Sequence, residues 1–464
     1  MPSRQDQLHS YQFMVQRVVA ALVMRETDPA QSPFRRAAGA TLASVLIAAI
    51  ALGGVGVYGA IVGGGGKSWR DPAAVIVEKE SGARYVFRDD KLHLVLNYAS
   101  ALLIVGGAQP KTVLVSRKSI EGVPRGNTLG ISGAPDSLPA ANRLSTSAWT
   151  VCSTLLTVDG AQAPRSVLLV GSDVDGGTPL GDDGLLVRHP DGGLYLVWHN
   201  RRHLIRDTGL VLSALTWNNE RPVPVAPALL NALPAGTDLA RVPIPDRGRQ
   251  SAEVDGARVG EVFVVESQGG GRQYAVARRD GLAGITQVQA SLILTAEGQD
   301  DPTPMSQGEY SRVPKVDSLI SDDPGAPPAN QPKLVAADGG RICGQTSDDS
   351  GVQRVLVGAR LPDLTDAART AARSAQGTAL ADHILVEPGR GAVVEASAAP
   401  GLGGGAISVV TDLGRRHAVT GPDVLGMLGY GSAKPVRLPA NLVALVPAGK
   451  ALDPAAARSP ATQD

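Results

Sequence analysis

The sequence predicts an α+β protein. One N-terminal transmembrane helix should precede a large extracytoplasmic region, with four small α+β repeats around a β-rich central domain of pseudo-twofold symmetry. Three observations predict it. No charged residue falls between Ala37 and Gly66. Short motifs return at constant offsets through the rest of the chain. The two cysteines, Cys152 and Cys343, follow two of these motifs at nearly equal distances.

Residues 1–36 form a cytoplasmic amphipathic segment. In HSYQFMVQRVVAALVMRE, Tyr11, Val15, Val18 and Leu22 recur at helical spacing. The apolar face of such a helix suits the membrane surface or a partner helix. The segment is too short for a conventional core, so external support is expected.

Residues 37–62 are the transmembrane helix. About 20 apolar residues cross the hydrocarbon core, and the run ATLASVLIAAIALGGVGVYGAIV exceeds that. Arg35 and Arg36 sit at its N-terminal end, with Arg17 and Arg25 upstream. The positive-inside rule then places residues 1–36 in the cytoplasm and Lys67 onward outside. The run is longer than a signal-peptide h-region of about 7–15 residues, and no clear small-residue cleavage site follows.

Residues 63–72 are a linker. The stretch GAIVGGGGKS, from Gly59, imitates a phosphate loop: Gly66-Lys67-Ser68 fits its end. Ile61 stands where the opening glycine is required. No helical pattern follows Lys67, and Trp69-Arg-Asp-Pro72 reads as irregular chain. The segment is read as an exit from the membrane, on the side where ATP is scarce.

Lys plus Arg equals Asp plus Glu at 44 each, so the formal charge is zero. That argues against a broad nucleic-acid-binding surface. Aromatic residues are 3% of the chain, too few for base-stacking platforms.

The repeats organise the outer region. ESGARYVFRDDKLHLVL, from Glu80, matches PDGGLYLVWHNRRHLIR, from Pro190. One offset of 110 pairs Gly82 with Gly192, Tyr85 with Tyr195, Leu94 with Leu204, Val113 with Val223, Pro124 with Pro234, Gly126 with Gly236 and Leu129 with Leu239. A third copy is read from Gly271-Arg-Gln-Tyr274, and a fourth from Gly414-Arg-Arg-His417 with His in place of the aromatic. An offset of 213 pairs Pro222-Val223 and Pro234-Ala-Gly236 with Pro435-Val436 and Pro447-Ala-Gly449. Each copy reads as turn, short strand, helix-like stretch (NYASALLIVG, RDTGLVLSALTW), a further strand in copies one and two, and a last helix such as ALLNAL or NLVALV. Such uneven periods do not suit a solenoid.

Cys152 lies 67 residues after Tyr85, and Cys343 lies 69 after Tyr274. This implies two homologous halves, near 73–245 and 250–455, each running repeat, central segment, repeat. The second half carries about 30 extra residues after Cys343. The expected divisions are repeat 1 at 73–130, a first central segment at 131–180, repeat 2 at 181–245, repeat 3 at 250–316, a second central segment at 317–405, repeat 4 at 406–452 and a tail at 453–464. Outside the membrane an even pair of cysteines suggests one disulfide, with two free buried thiols as the alternative. A link would close a loop of about 190 residues, for which the chain-entropy relation gives roughly 5 kcal/mol as an upper figure. Bonded at equivalent positions, the pair would sit near a pseudo-twofold axis.

Three stretches then carry a resemblance: SYQFMVQRVVAALVMRE before a single span, ESGARYVF after it, and GVPRGNTLGISGAPDSLP leading to WTVC at Cys152. The chain resembles EccB, a membrane component of the actinobacterial type VII (ESX) secretion system, over nearly its whole length. The resemblance implies four repeats around a central domain with one disulfide. It also implies self-association and assembly with the EccC ATPase, EccD, EccE and the mycosin protease. Some family members are described as ATPases, whereas this sequence has no complete phosphate loop.

Other constellations are read as structural. His199 and His203 have the spacing of a metal pair on a helix, but no third ligand is evident. GLGGGA at Gly401 imitates a dinucleotide fingerprint, yet ISVV after it reads as strand. SDVDGGTPLGDDG, from Ser172, could hold calcium but reads as a polar turn. Ser132 lacks the spacing of a nucleophile elbow. No catalytic residue, metal or cofactor is expected. The function expected is a bitopic scaffold of a secretion pore, the alternatives being an ATPase or a peptidoglycan binder.

Overall fold

The computed structural model describes residues 3–24, 33–62, 67–108, 110–158, 160–266 and 269–461. The chain divides into two compact units, Met1–Asp71 with Val113–Gly122, and Pro72–Thr112 with Val123–Asp464.

In the first unit, helix Arg4–Met24 lies within the expected amphipathic segment 1–36, of which 25–32 lie outside the described residues. Tyr11, Val15, Val18 and Leu22 are exposed, but so are Phe13, Met14 and Val23, so the apolar surface is wider than one stripe. Helix Pro33–Val62 contains the apolar span Ala38–Val57, none of it buried. At about 1.5 Å per residue, such a span matches the hydrocarbon core. Gly63–Gly66 of the near phosphate loop lie outside the described residues. Lys67–Arg70 form one turn of 3-10 helix where irregular chain was expected.

The second unit holds a central seven-stranded sheet and smaller sheets for the repeats. Each repeat builds a meander. In repeat 1 the strands are Ala74–Glu78, Arg84–Arg88 and Lys91–Leu94. In repeat 2 they are Leu185–Arg188, Leu194–Trp198 and Arg201–Leu204. Two-residue turns join the last two strands. Asp89-Asp90 and His199-Asn200 all have φ between 45° and 59°, the conformation of a type I′ hairpin, which suits strand twist. A helix follows. In repeat 1 it is Tyr98–Val105, started by the Asn97 side chain and ended by Gly106 in the left-handed region. In repeat 3 it is Gln287–Glu297, with a capping box between Thr286 and Gln289.

Strand pairing corrects the repeat alignment at three places. In repeat 3, Leu282 lies opposite Ala277 and its amide donates to Pro314 O, as Leu92 and Arg202 do to Pro124 O and Pro234 O. That register puts Ala275, not Tyr274, in the place of Tyr85 and Tyr195; a one-residue slip reverses the face a side chain occupies. In repeat 4, His417 is on the third strand, Arg416–Ala418, and pairs with Val409. It therefore corresponds to His93 and His203, and Ser408 takes the aromatic's place. The fourth sheet begins at strand Ala392–Ser397, upstream of the expected boundary at 406. A parallel outer strand is present in the later copies too, at Thr303–Met305 and Val436–Pro439.

The repeats pack in pairs that cross the two halves. Leu102 and Leu103 of repeat 1 share a core with Val409, Val424 and Leu428 of repeat 4. Val211 and Leu215 of repeat 2 share one with Val288 and Leu292 of repeat 3. Exchanging one with three and two with four leaves this pairing unchanged, as pseudo-twofold symmetry requires.

Candidate functional site

At the middle of the central sheet, Trp149–Val158 runs antiparallel to Ile342–Thr346, and Cys152 lies directly opposite Cys343. The two sulfurs are bonded, across Cα atoms 4.0 Å apart, and both residues are fully buried. Each strand continues into an equivalent neighbour: Ala161–Leu169 beside the first, Arg354–Val357 beside the second. The outer strands then cross between halves, since Thr178–Pro179 pairs with Arg354–Val357 while His383–Leu385 pairs with Ala161–Leu169.

Alternation gives the sheet two buried faces. Trp149, Val151, Leu168, Ile342 and Val355 form one. Helices Pro227–Ala232 and Ala440–Val443, from repeats 2 and 4, cover it through Leu229, Leu230, Leu442 and Val443. The helices meet where the Asn441 amide donates to Asn231 O. Arg202 and Arg416, at equivalent positions, donate to Leu230 O in the first docking helix and to Val446 O just beyond the second. The opposite face holds the disulfide with Val167, Leu169, Leu356 and Ala359.

Asp382 joins the halves a second time. Its carboxylate accepts from Ser166 N at 2.8 Å, Ser166 Oγ at 2.6 Å and Arg165 Nη1 at 3.1 Å. Nothing in the sequence pattern marked this residue.

A repeated histidine motif was also missed. His93, His203 and His417 donate from Nδ1 to Asn127 O, Thr237 O and Lys450 O at 2.9, 2.8 and 2.9 Å. Each ring fills the space where a side chain at Gly126, Gly236 or Gly449 would stand. Desolvation holds the imidazoles of His203 and His417 below the ordinary histidine range, against the upward pull of the accepting carbonyl. His203 Nε2 is buried without a partner, which favours the neutral ring. The readable signal was a histidine 33, 33 and 32 residues before a glycine.

The remaining sequence candidates do not converge on chemistry. His199 and His203 stand on a hairpin, not a helix; His199 meets Asp182 at 2.8 Å and His203 meets Thr237 O. Gly404 and Gly405 of the GLGGGA stretch donate to Glu395 Oε1, so that loop's amides serve its own repeat. Burial raises the Glu395 carboxyl, but these donors and Arg437 outweigh it and hold the group below its usual range. Asp173 in the acidic loop accepts from Gln345, and Ser132 is exposed in a turn. Among the described residues no cluster of three metal-ligating side chains is present.

Residues 1–462 match the family described as "Type VII secretion system ESX-1, transport TM domain B". The chain is 30% identical over 470 aligned residues to "ESX-3 secretion system ATPase EccB3" of Mycolicibacterium smegmatis, covering 96% of this chain and 88% of that relative. It is 36% identical over 256 residues to "ESX-2 secretion system ATPase EccB2" of Mycobacterium tuberculosis, a match spanning 53% of this chain and about half, 51%, of that relative's length. Among solved structures, a chain of the intact ESX-5 inner membrane complex superposes with TM-score 0.69 at 26% identity, covering 100% of this chain and 96% of that one. The EccB3 dimer from the ESX-3 core complex gives 0.67 at 28% identity, covering 83% and 100%. The repeat and disulfide architecture thus comes with a family description matched along almost the whole sequence, and the chain belongs to the EccB family of type VII secretion proteins.

Proposed function

We propose that this protein is a structural membrane subunit of an ESX secretion machine. Helix Pro33–Val62 anchors it, residues 1–36 face the cytoplasm, and the repeats build the extracytoplasmic region of the complex. The cytoplasmic helix docks on membrane partners of the EccC, EccD and EccE kinds. The outer unit associates with a second copy and with a mycosin protease. The observation that carries this reading is the superposition of the full chain on a subunit of an intact inner membrane complex. Arg35 and Arg36 beside the charge-free run support the orientation. The proposed role is scaffolding and not ATP turnover, because Ile61 replaces the first phosphate-loop glycine.

Deleting the gene in its native host and resolving detergent-extracted membranes by native gel tests the role. Loss of the large complex, restored by the wild-type chain and by Lys67→Ala, is expected. A complex that assembles without this protein overturns the scaffold reading. Restoration by the wild type but not by Lys67→Ala would bring the phosphate-loop reading back.

A further inference from the structure

The face of the central sheet that carries the disulfide continues into a charged groove. One row runs across six strands in register: Leu356 opposite Cys343, Cys343 opposite Cys152, Cys152 opposite Val167, Val167 beside His383, and His383 opposite Arg369. The row begins in buried apolar packing and ends at exposed Arg369, on the edge strand Ala368–Arg369. Beside that end lies a cavity of about 730 Å³, walled by Arg165, Arg369, His383, Thr370 and Leu364. A smaller cavity of about 300 Å³ adjoins it through Arg165, Ala372 and Asp382, and its walls include Pro164, Pro227, Leu380 and Arg373. Most of the larger cavity's wall, and half of the smaller one's, comes from the stretch after residue 360.

The polar groups of these walls are unequally satisfied. Asp382 already accepts from Ser166 twice and from Arg165. Asp363 is held by the amide and hydroxyl of Thr365. Among the described residues the Arg373 guanidinium donates only to a carbonyl, Gly377 O. The Arg369 guanidinium has neither an ion pair nor a hydrogen bond among the described residues, and His383 Nδ1 is buried without a partner. Donors are therefore in surplus: three guanidiniums stand against two carboxylates, of which Asp382 uses both oxygens and Asp363 its Oδ1. A carboxylate presented to Arg369 and Arg165 would meet planar donors suited to bidentate pairing. The adjoining proline- and leucine-lined cavity would take an apolar side chain next to it.

We propose that this groove binds a polypeptide segment in which an acidic residue adjoins an apolar one, the carboxylate going to Arg369 and Arg165 and the apolar side chain to the cavity of Pro164, Pro227 and Leu380. Charge complementarity and the apolar subsite beside it favour a peptide over a simple anion.

The test uses the full chain in detergent and a fluorescein-labelled peptide of alternating leucine and glutamate, read by anisotropy. Saturable binding is expected. Arg369→Gln should weaken it at least fivefold, and Arg369→Lys should weaken it less. The matching leucine–glutamine peptide should bind at least tenfold more weakly. Because the Arg369 side chain is exposed and makes no internal bond, its variants should keep the wild-type thermal midpoint. Three outcomes overturn the proposal: no saturable binding, equal affinity of wild type and Arg369→Gln, or displacement by inorganic phosphate at concentrations where chloride of equal ionic strength has no effect. The last would make the site one for phosphate.

Discussion

Repeat 3 and the other three repeats fill the same space in opposite ways. In repeats 1, 2 and 4 the third strand contributes a histidine and the facing segment a glycine: His93 with Gly126, His203 with Gly236, His417 with Gly449. In repeat 3 the register places Ala283 opposite Val316. Ala283 is fully buried, and Val316 packs on the same core as Val276 and Ile293. A large side chain facing none has become a small one facing a branched one. Interiors are packed to crystal-like density, so a change on one side of a contact must be matched on the other. The histidine solution also adds a hydrogen bond that fixes the facing loop. The alanine–valine solution adds none and leaves no group to titrate.

The largest effect should come from placing the repeat 3 residue in a histidine repeat. Gly236→Val would drive two methyl groups into a ring with no exposed surface. Overpacking of this kind costs about 3 kcal/mol. Adding His203→Ala should recover much of it, because the pair then reproduces Ala283 and Val316. A double-mutant cycle on thermal or denaturant unfolding measures the coupling. If His203→Ala worsens Gly236→Val additively, the two solutions are not interchangeable.

The reverse exchange should cost less one residue at a time. Val316→Gly leaves a cavity in a small core, for about 2 kcal/mol. Ala283→His, made together with it, should refill the space and offer Nδ1 to the facing backbone. Hydrogen exchange over 281–285 should fall back toward wild type in the double variant. Faster exchange there than in Val316→Gly alone would show that repeat 3 cannot take a ring.

Much of this architecture was legible, and the failures have a physical pattern. The constant offset of 110 exposed repeats 1 and 2 because their hairpin turns, Asp89-Asp90 and His199-Asn200, have equal length. The cysteines were readable because equivalent residues beside a twofold axis come to face one another. Repeat 3 misled because GRQY resembles GARY as letters, while the strand register is set by the turn after it. Repeat 4 misled because its histidine was matched to an aromatic in the preceding strand. The docking of Pro227–Ala232 and Ala440–Val443 on the central sheet, and the tie from Ser166 to Asp382, join residues far apart in sequence and leave no periodic trace.

A smaller difference should separate the histidine repeats from one another. His203 and His417 are 0% and 2% exposed, whereas His93 is half-buried. Alanine at Gly236 or Gly449 meets a ring with nowhere to go. Alanine at Gly126 can displace His93 toward solvent, and should cost about 1 kcal/mol, at the low end of overpacking effects. None of the three glycines has a positive φ, so the substitution tests sterics alone. Equal losses at all three sites would mean that exposure of the ring does not govern the response.

The smallest effect concerns acid. Burial lowers the folded-state pKa of His203 and His417 below the ordinary value of 6.5. Around His203 the Thr237 carbonyl and Asp238 pull upward, while Arg201 and His199 add to the downward shift. Arg415 does the same at His417. Between the folded and unfolded values the unfolded chain binds more protons, so stability rises with pH there. The stability these rings confer is fully present above about pH 6.5 and is lost as pH falls from there toward the folded-state value. Hydrogen exchange measured at pH 7.5 and 5.5, corrected for the intrinsic rate, should then show repeats 2 and 4 loosening on acidification while the histidine-free third strand of repeat 3, Gly281–Ile285, does not. His203→Ala with Gly236→Val should remove the acid response from repeat 2 and leave that of repeat 4. A loss of protection on acidification that is equal in repeats 2 and 3 would place the acid sensitivity outside the imidazoles, and the two packing solutions would then differ in shape but not in their response to protons.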